Sequence, residues 1–406
     1  MTYREALAWL YGTQRFGIKL GLENVQRLLR ELKVPGEGQQ IVHVAGTNGK
    51  GSVCAMIDSV GRAAGWRSGL FTSPHLVTYR ERIRVNGEMI SPEDVARGLS
   101  AIRELIRAWD PHPTFFEITT ALALDHFKKQ DCEIIVLETG LGGRLDATNA
   151  TNPVVSVITP ISYDHEKWLG DTLEKIASEK AGIIKPHVPV VSARQEPAAE
   201  QVIRRRAMEC NALLDIITEP YTTSAIGLAG RHQQQNAALA LAGLRAANIT
   251  AWEAAIAHGL AQVEWPARFQ RWDERTTIDG AHNPAGARVL AETWREEFGD
   301  ERATVLFGVL KDKDIASLWR ALAPLAARVI LPSLRSERAV PPQELATLIS
   351  SITPLLPHSI NPSVADALKT AREENDLILI TGSLHFAGEA LATLQGNPDA
   401  LEDCAQ

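Results

Sequence analysis

The chain has 406 residues, 45% of them hydrophobic and 22% charged, with a formal net charge of −7. That length allows two domains with cores of their own, and the composition is that of a soluble globular protein. The negative balance excludes general electrostatic attraction to nucleic acid or an acidic membrane, so neither is expected as a partner, and an anionic substrate must be held by local basic groups.

In chain order, apolar runs at 41–45, 68–71, 133–138, 154–159 and 188–191 read as buried strands, with helical patterns between several of them, as at 92–109 and 115–129. A small hairpin is predicted at 83–90, turning at Asn86-Gly87. Residues 233–260 read as two Ala-rich helices, interrupted afterwards by Glu264-Trp265-Pro266-Ala267-Arg268-Phe269. Alternation resumes with strands at 276–278, 304–307, 329–331 and 377–380. The expected fold is α/β: a P-loop type, mostly parallel sheet with flanking helices over residues 1–268, and a smaller C-terminal α/β (Rossmann-like) domain over 269–406. The four cysteines, Cys54, Cys132, Cys210 and Cys404, form no C-x-x-C pair, which suits a reducing cytoplasm. No apolar signal region follows Met1, and no apolar run approaches a membrane span. A cytoplasmic monomer is expected.

The first chemical signal is Gly46-Thr47-Asn48-Gly49-Lys50-Gly51-Ser52, between a strand and the helix that Val53 continues. Such a turn cradles phosphate: backbone N–H groups and the helix N-terminus face the anion, Lys50 adds charge, and Ser52 reaches a magnesium ion. The ordinary P-loop spacing would put glycine at position 44, where Val44 stands, and Ser or Thr directly after Lys50, where Gly51 stands.

Further signals gather at strand ends, where open α/β sheets bind ligands. Glu138 ends an apolar strand and opens Thr139-Gly140-Leu141-Gly142-Gly143-Arg144-Leu145-Asp146, and beside a phosphate loop its partner is magnesium, a hard ion that takes oxygen ligands. His165 ends Ser162-Tyr163-Asp164-His165 after the next strand, on the same edge. Lys180 falls with Leu173, Ile176 and Ala177 at i, i+3, i+4 and i+7, which turns it to the apolar face of its helix. Burial lowers an ammonium pKa, and a neutral amine forms a carbamate with carbon dioxide; a snorkelling lysine, or one paired with Glu179 or Glu138, is an equal alternative from position alone. Ser73 lies in Thr72-Ser73-Pro74-His75, which leads to Arg80, Arg82 and Arg84 at alternate positions, either a comb for a polyanionic tail or a solvated strand face. Asp279-Gly280-Ala281-His282-Asn283-Pro284 is a second-domain strand-to-helix turn that, with Arg268, can meet the nucleotide from the far side.

These strings resemble those of folylpolyglutamate synthase and dihydrofolate synthase, members of the Mur ligase superfamily. The likeness runs over nearly the whole chain, from the phosphate loop through SPHL, ETGLGGRLDATN, YDH and EKAGIIKP to HQQQNAALA, WPARF, DGAHNP, GVLKDKD and TGSLHFAGE. It implies an ATP-dependent ligase that activates a carboxylate as an acyl phosphate and joins it to the amino group of L-glutamate, releasing ADP and phosphate. The carboxylate substrate it implies is dihydropteroate, a reduced folate (poly)glutamate, or both; a monofunctional folylpolyglutamate synthase and a Mur-type ligase for another carboxylate are the alternatives. By resemblance, Lys50 and the loop amides hold the ATP phosphates, and Ser52, Ser73, Glu138 and His165 are magnesium ligands. Lys180 matches a carbamylated lysine, and Lys50, Lys180, His165 and Glu138 form the catalytic set. Asn236, Arg268, Asp279 and His282 match nucleotide contacts, and His282 with Ser383 lies near the incoming glutamate. Thr114, Phe116 and Asp146 match positions around the pterin. A nucleotide-dependent switch or kinase-like module without ligase activity is the reading of a different class; Glu138, His165 and the DGAHNP turn argue against it, because a switch does not need them. Magnesium also makes chemical sense, since two anions must meet a carboxylate there.

Overall fold

The computed structural model describes residues 1–16, 21–374 and 376–402; Cys404 lies outside them. The first domain's strands are β1 Gln40–Ala45, β2 Ser68–Phe71, β3 Ile83–Val85, β4 Glu88–Met89, β5 Ile134–Glu138, β6 Val155–Ile158, β7 Val190–Ala193 and β8 Leu214–Ile217. They form a sheet in the order β4-β3-β2-β5-β1-β6-β7-β8. The pairs β2–β5, β5–β1, β1–β6, β6–β7 and β7–β8 are parallel, and the edge pairs β2–β3 and β3–β4 run antiparallel. The second sheet contains β9 Gln270–Arg271, β10 Thr276–Ile278, β11 Ala303–Phe307, β12 Ala326–Pro332, β13 His358–Asn361 and β14 Leu377–Thr381, in the order β13-β12-β11-β14-β10-β9. Its pairs are parallel except β9–β10. This is the expected α/β architecture.

The central strands read as apolar runs because helices cover both faces. Ile41, Val42 and Val44 of β1 are fully buried, each contributing about 1.5–3 kcal/mol relative to exposure. Helix Lys50–Ala63 is buried nearly all round, packed between β1 and helices Arg231–Ala246 and Glu253–Ala261. The hairpin turns as expected at Asn86 and Gly87, both with positive φ. Strands β8, β9 and β13 were not anticipated. β8 is a half-buried edge strand whose apolar residues Asp215 interrupts, β13 is a mostly exposed edge strand without an apolar run, and β9 has two residues.

Cys54, Cys132 and Cys210 are buried and unbridged. Among the described residues, no helix is long and apolar enough to cross a membrane.

Candidate functional site

The register of β1 against β5 sets Val44 opposite Glu138, and the Thr139 N–H donates to the Val44 carbonyl. The phosphate-type loop and the acid therefore leave neighbouring strands side by side, at the carboxyl edge of the sheet. The turn after β6 closes the other flank. There Pro160 O accepts the Thr47 and Asn48 N–H groups at 3.0 and 3.2 Å, and Thr47 Oγ1 accepts the Ser162 N–H at 3.1 Å. Thr47 and Asn48 thus spend their amides on the scaffold. The amides free to face an anion are those of Lys50, Gly51 and Ser52, the first three helical residues, whose N–H groups have no intrahelical acceptor.

Glycine is required here for two reasons. Gly49 holds φ of 88°, and a Cβ on it would stand 2.8 Å from Asn236 Oδ1. Gly51 lies under the Trp265 indole, whose Nε1 would be 2.6 Å from an added Cβ. The residue that breaks the ordinary P-loop spacing is thus the one over which the interdomain Trp265 packs.

Lys50 Nζ lies 3.9 Å from Glu138 Oε1 and 3.3 Å from the Thr47 carbonyl. Glu138 Oε2 accepts the Ser73 N–H at 3.1 Å. Burial raises the Glu138 pKa, opposed first by the Lys50 charge. Lys180 is 5% exposed, and its Nζ donates to the Gly46 carbonyl at 2.7 Å. It pairs with neither Glu138 nor Glu179, since Glu179 binds Arg144. Burial, then the Lys50 charge, brings its pKa down to about 7. His165, with φ of 53°, is held neutral by burial, which lowers its pKa to about 4 and leaves a ring nitrogen available as a ligand.

The second domain meets this edge through the turn after β10. Asp279 accepts the Phe269 and Ala281 N–H groups, each at 2.8 Å, and burial raises its pKa. Asp164, between the domains, accepts Lys313 Nζ at 2.7 Å and Asn283 Nδ2 at 3.2 Å, and stands 3.5 Å from His282 Nε2. These partners hold its carboxyl far below the usual range despite burial. Asn283 and Asn48 exchange side-chain amide hydrogen bonds at 3.0 and 3.3 Å, joining the phosphate-type loop to the second domain.

One cavity of about 660 Å³ runs between the domains. Gly46, Thr47, Asn48, Gly49, Lys50, Gly51 and Ser52 line it, with Ser73, Glu138, His165 and Lys180. Asn236, beside Gly49, and Arg268, Asp279 and His282 line it as well. Thr114, Phe116, Asp146 and Ser383 lie outside that lining. Thr114 caps helix Phe115–Lys129, accepting the Glu117 N–H. The Phe116 ring packs over Gly140, where an added Cβ would lie 2.6 Å from its Cζ. Asp146 accepts the Gly140 and Leu141 N–H groups, both at 2.9 Å, and so shapes the glycine turn after β5. Ser383 caps helix Leu384–Leu394 and donates to the Gly308 carbonyl.

Sequence reasoning missed Asp164, Asn283 and Lys313 as a group. Asn283 before Pro284 carried a helix-start signal, but nothing local to Lys313 points to Asp164. The arginine comb also divides: Tyr79–Arg82 is a 3-10 turn, so Arg82 is buried against His75 at 2.8 Å, Arg80 binds the Ile90 carbonyl, and Arg84 lies over Trp265.

The donor set fits a hard divalent cation. Ser73 Oγ is buried without a hydrogen-bond partner, beside the Glu138 carboxylate, and Ser52 Oγ borders the same cavity. Among the described residues, no three His, Cys, Asp or Glu side chains converge as a self-sufficient metal cage. An ion held here would complete its shell with phosphate oxygens and water, as magnesium does.

The model of the Mur ligase middle domain matches residues 44–220, and that of the Mur ligase glutamate ligase domain matches residues 267–384. The dihydrofolate synthase/folylpolyglutamate synthase of Bacillus subtilis is 36% identical over 424 residues, covering 95% of this chain and 98% of the relative. Escherichia coli FolC in complex with DHPP and ADP superimposes with a TM-score of 0.87 at 32% identity, covering 96% of this chain and 98% of that one. Mycobacterium tuberculosis folylpolyglutamate synthase, complexed with ADP and AMPPCP, gives 0.88 at 31% identity over 99% of this chain and 100% of that one.

Proposed function

The chain belongs to the dihydrofolate synthase/folylpolyglutamate synthase family of the Mur ligase superfamily, and from that premise we propose how its residues carry the reaction. The protein is an ATP-dependent ligase that joins L-glutamate to dihydropteroate and/or folates through an amide bond. The substrate carboxylate attacks the γ-phosphorus of ATP, giving an acyl phosphate and ADP. The glutamate amine then attacks the acyl carbon and expels phosphate, which leaves with one former carboxylate oxygen. One observation carries the reading: the helix N-terminus at Lys50, the Glu138 carboxylate and Lys180 face Arg268, Asp279 and His282 across a single cavity.

Lys50 and the amides of Lys50, Gly51 and Ser52 hold the β- and γ-phosphates and oppose the charge that builds during transfer. In this reading Ser52, Ser73, Glu138 and His165, which line the same cavity, would hold a magnesium ion, directly or through water. That ion supplies charge neutralisation between phosphates and carboxylate. Asn236, Arg268 and Asp279 orient the nucleotide, and His282 serves the glutamate side with Ser383. Thr114, Phe116 and Asp146 shape the pterin side by fixing the glycine turn and its neighbouring helix. A pKa near 7 leaves much of Lys180 as a free amine at neutral pH, able to take up carbon dioxide as a carbamate. We assign residues 1–268 to the ATP- and folate-binding domain and 269–406 to the ligase domain. Water exclusion between them protects the acyl phosphate.

The test is phosphate release with L-glutamate and either dihydropteroate or tetrahydrofolate, with mass analysis of the product. Addition of one glutamate to each substrate is expected. No glutamate-dependent turnover on any pteroate or folate would overturn the reading, and turnover on folate alone would reduce it to a monofunctional folylpolyglutamate synthase.

A further inference from the structure

The segment that carries Ser73 is built into both domains. Its first part belongs to the site: the Ser73 N–H binds Glu138, and the Ser73 hydroxyl is buried without a partner. Its middle leaves the first domain. Leu76 is buried in the second domain's apolar cluster with Ile278, Ile380, Phe386 and Ala387. Helix Leu384–Leu394 lies directly on it, close enough that a Cβ on Gly388 would stand 2.7 Å from the Leu76 carbonyl carbon. On one side the segment is held by its own Glu81, whose carboxylate accepts the Leu76, Val77 and Thr78 N–H groups at 2.8, 2.9 and 2.9 Å.

On the other side it is held by Glu402, near the end of the chain. The Glu402 carboxylate accepts the Tyr79 N–H at 2.6 Å and the Thr78 hydroxyl at 3.1 Å. It also accepts the Tyr3 hydroxyl at 3.1 Å, and the Glu402 N–H donates to the Val77 carbonyl at 2.8 Å. Every one of these partners belongs to the first domain. Three lie in the segment, and the fourth stands on helix Tyr3–Gly12, which packs in the core that contains Phe115. Hydrogen bonds to an ionised acceptor are the strong kind, and a carboxylate that gathers three donors fixes them relative to one another.

We infer that the C-terminal tail, through Glu402, is a strap that clamps residues 77–79 to the second domain and thereby sets Ser73 against Glu138. Glu402 is a positioning residue in this scheme: it touches neither substrate nor the reacting atoms, and acts through the segment. The inference rests on the reading of Ser73 and Glu138 as metal-holding residues. It goes beyond that reading by making the last helix and tail part of the same device. A tail that only finished the second domain would bond within that domain. Here the Glu402 bonds to Tyr3, Val77, Thr78 and Tyr79 all cross the boundary.

The experiment compares the full chain with E402A, E402Q and S73A, using Mn²⁺ affinity by electron paramagnetic resonance in the presence of ADP, hydrogen exchange over residues 73–82, and steady-state kinetics. E402A is expected to bind Mn²⁺ about tenfold more weakly, to exchange faster at the Val77–Tyr79 amides, and to lose kcat while the KM for glutamate stays unchanged. E402Q, which keeps the volume and one accepting oxygen, should fall between E402A and the unaltered chain; it decides the matter if E402A does not fold. A lower Tm with unaltered Mn²⁺ affinity and kcat would overturn the inference, leaving Glu402 as a structural residue only. If S73A also leaves Mn²⁺ affinity intact, the reading of the metal site fails. If S73A weakens it and E402A does not, the strap alone fails.

Discussion

Replacing Lys313 with Met tests whether the two domains must be locked for catalysis. The Lys313–Asp164 pair spans 149 positions of sequence, measures 2.7 Å, and its two side chains are only 9% and 7% exposed. Removing one partner of a buried pair costs about 3–5 kcal/mol when nothing else satisfies the survivor. Asp164 keeps the Asn283 amide at 3.2 Å and the His165 N–H at 2.9 Å, so the loss reduces to about 1.5–3 kcal/mol, one charged hydrogen bond. Because the pair joins the domains, the cost falls on their docking rather than on either core. At 1.4 kcal/mol per factor of ten, kcat/KM should fall by about 10- to 100-fold. The assay is a double-mutant cycle of Lys313→Met and Asp164→Asn, read as kcat/KM for ATP. A coupling of at least about 1 kcal/mol is expected. Effects that add to within about 0.3 kcal/mol would show that the contact does not support turnover, and would refute the reasoning.

Other outcomes follow from the same geometry. Lys50→Ala should fold normally, since its Nζ makes only a 3.3 Å bond and a 3.9 Å ion pair; kcat should drop by about 100-fold or more, and near-normal turnover would remove Lys50 from phosphoryl transfer. Lys180→Ala should lose activity and recover part of it with a short-chain carboxylate, whereas full activity without rescue would end the carbamate reading. Lys180 has its folded pKa lowered to about 7, so between that value and its ordinary pKa the unfolded chain binds more protons and stability rises with pH. The Tm of Lys180→Met relative to the unaltered chain should therefore decline as pH rises from about 7 towards 10; a constant difference would contradict the shift. Burial pushes His43 down to about 3, so its contribution is present above its ordinary pKa and is lost as pH falls towards 3. His43→Gln should flatten the fall of Tm between about pH 6 and 4, as thermal scans would show.

Strand-end chemistry was legible because local pattern and local geometry coincide there. The apolar run before Glu138 is a strand, the glycine turn after β1 is a helix N-terminus, and the i, i+3, i+4, i+7 set that buried Lys180 is satisfied by a single helix. What was illegible depends on pairing at a distance. Lys313 lies in a polar stretch whose partner belongs to the other domain, and Glu402 finds its partners more than 300 positions away. The alternating arginines misled because a 3-10 turn replaces the strand that alternation assumes, sending Arg82 inward. Edge strands such as β13 escaped for the opposite reason: with one side open to solvent, no apolar run marks them.

The most direct test of the central claim follows the oxygen. Dihydropteroate labelled with ¹⁸O in its carboxylate is turned over with ATP and L-glutamate, and the released phosphate is analysed by mass. Activation through an acyl phosphate predicts one ¹⁸O in each phosphate formed, with the other retained in the new amide. Unlabelled phosphate accompanying amide formation would contradict it.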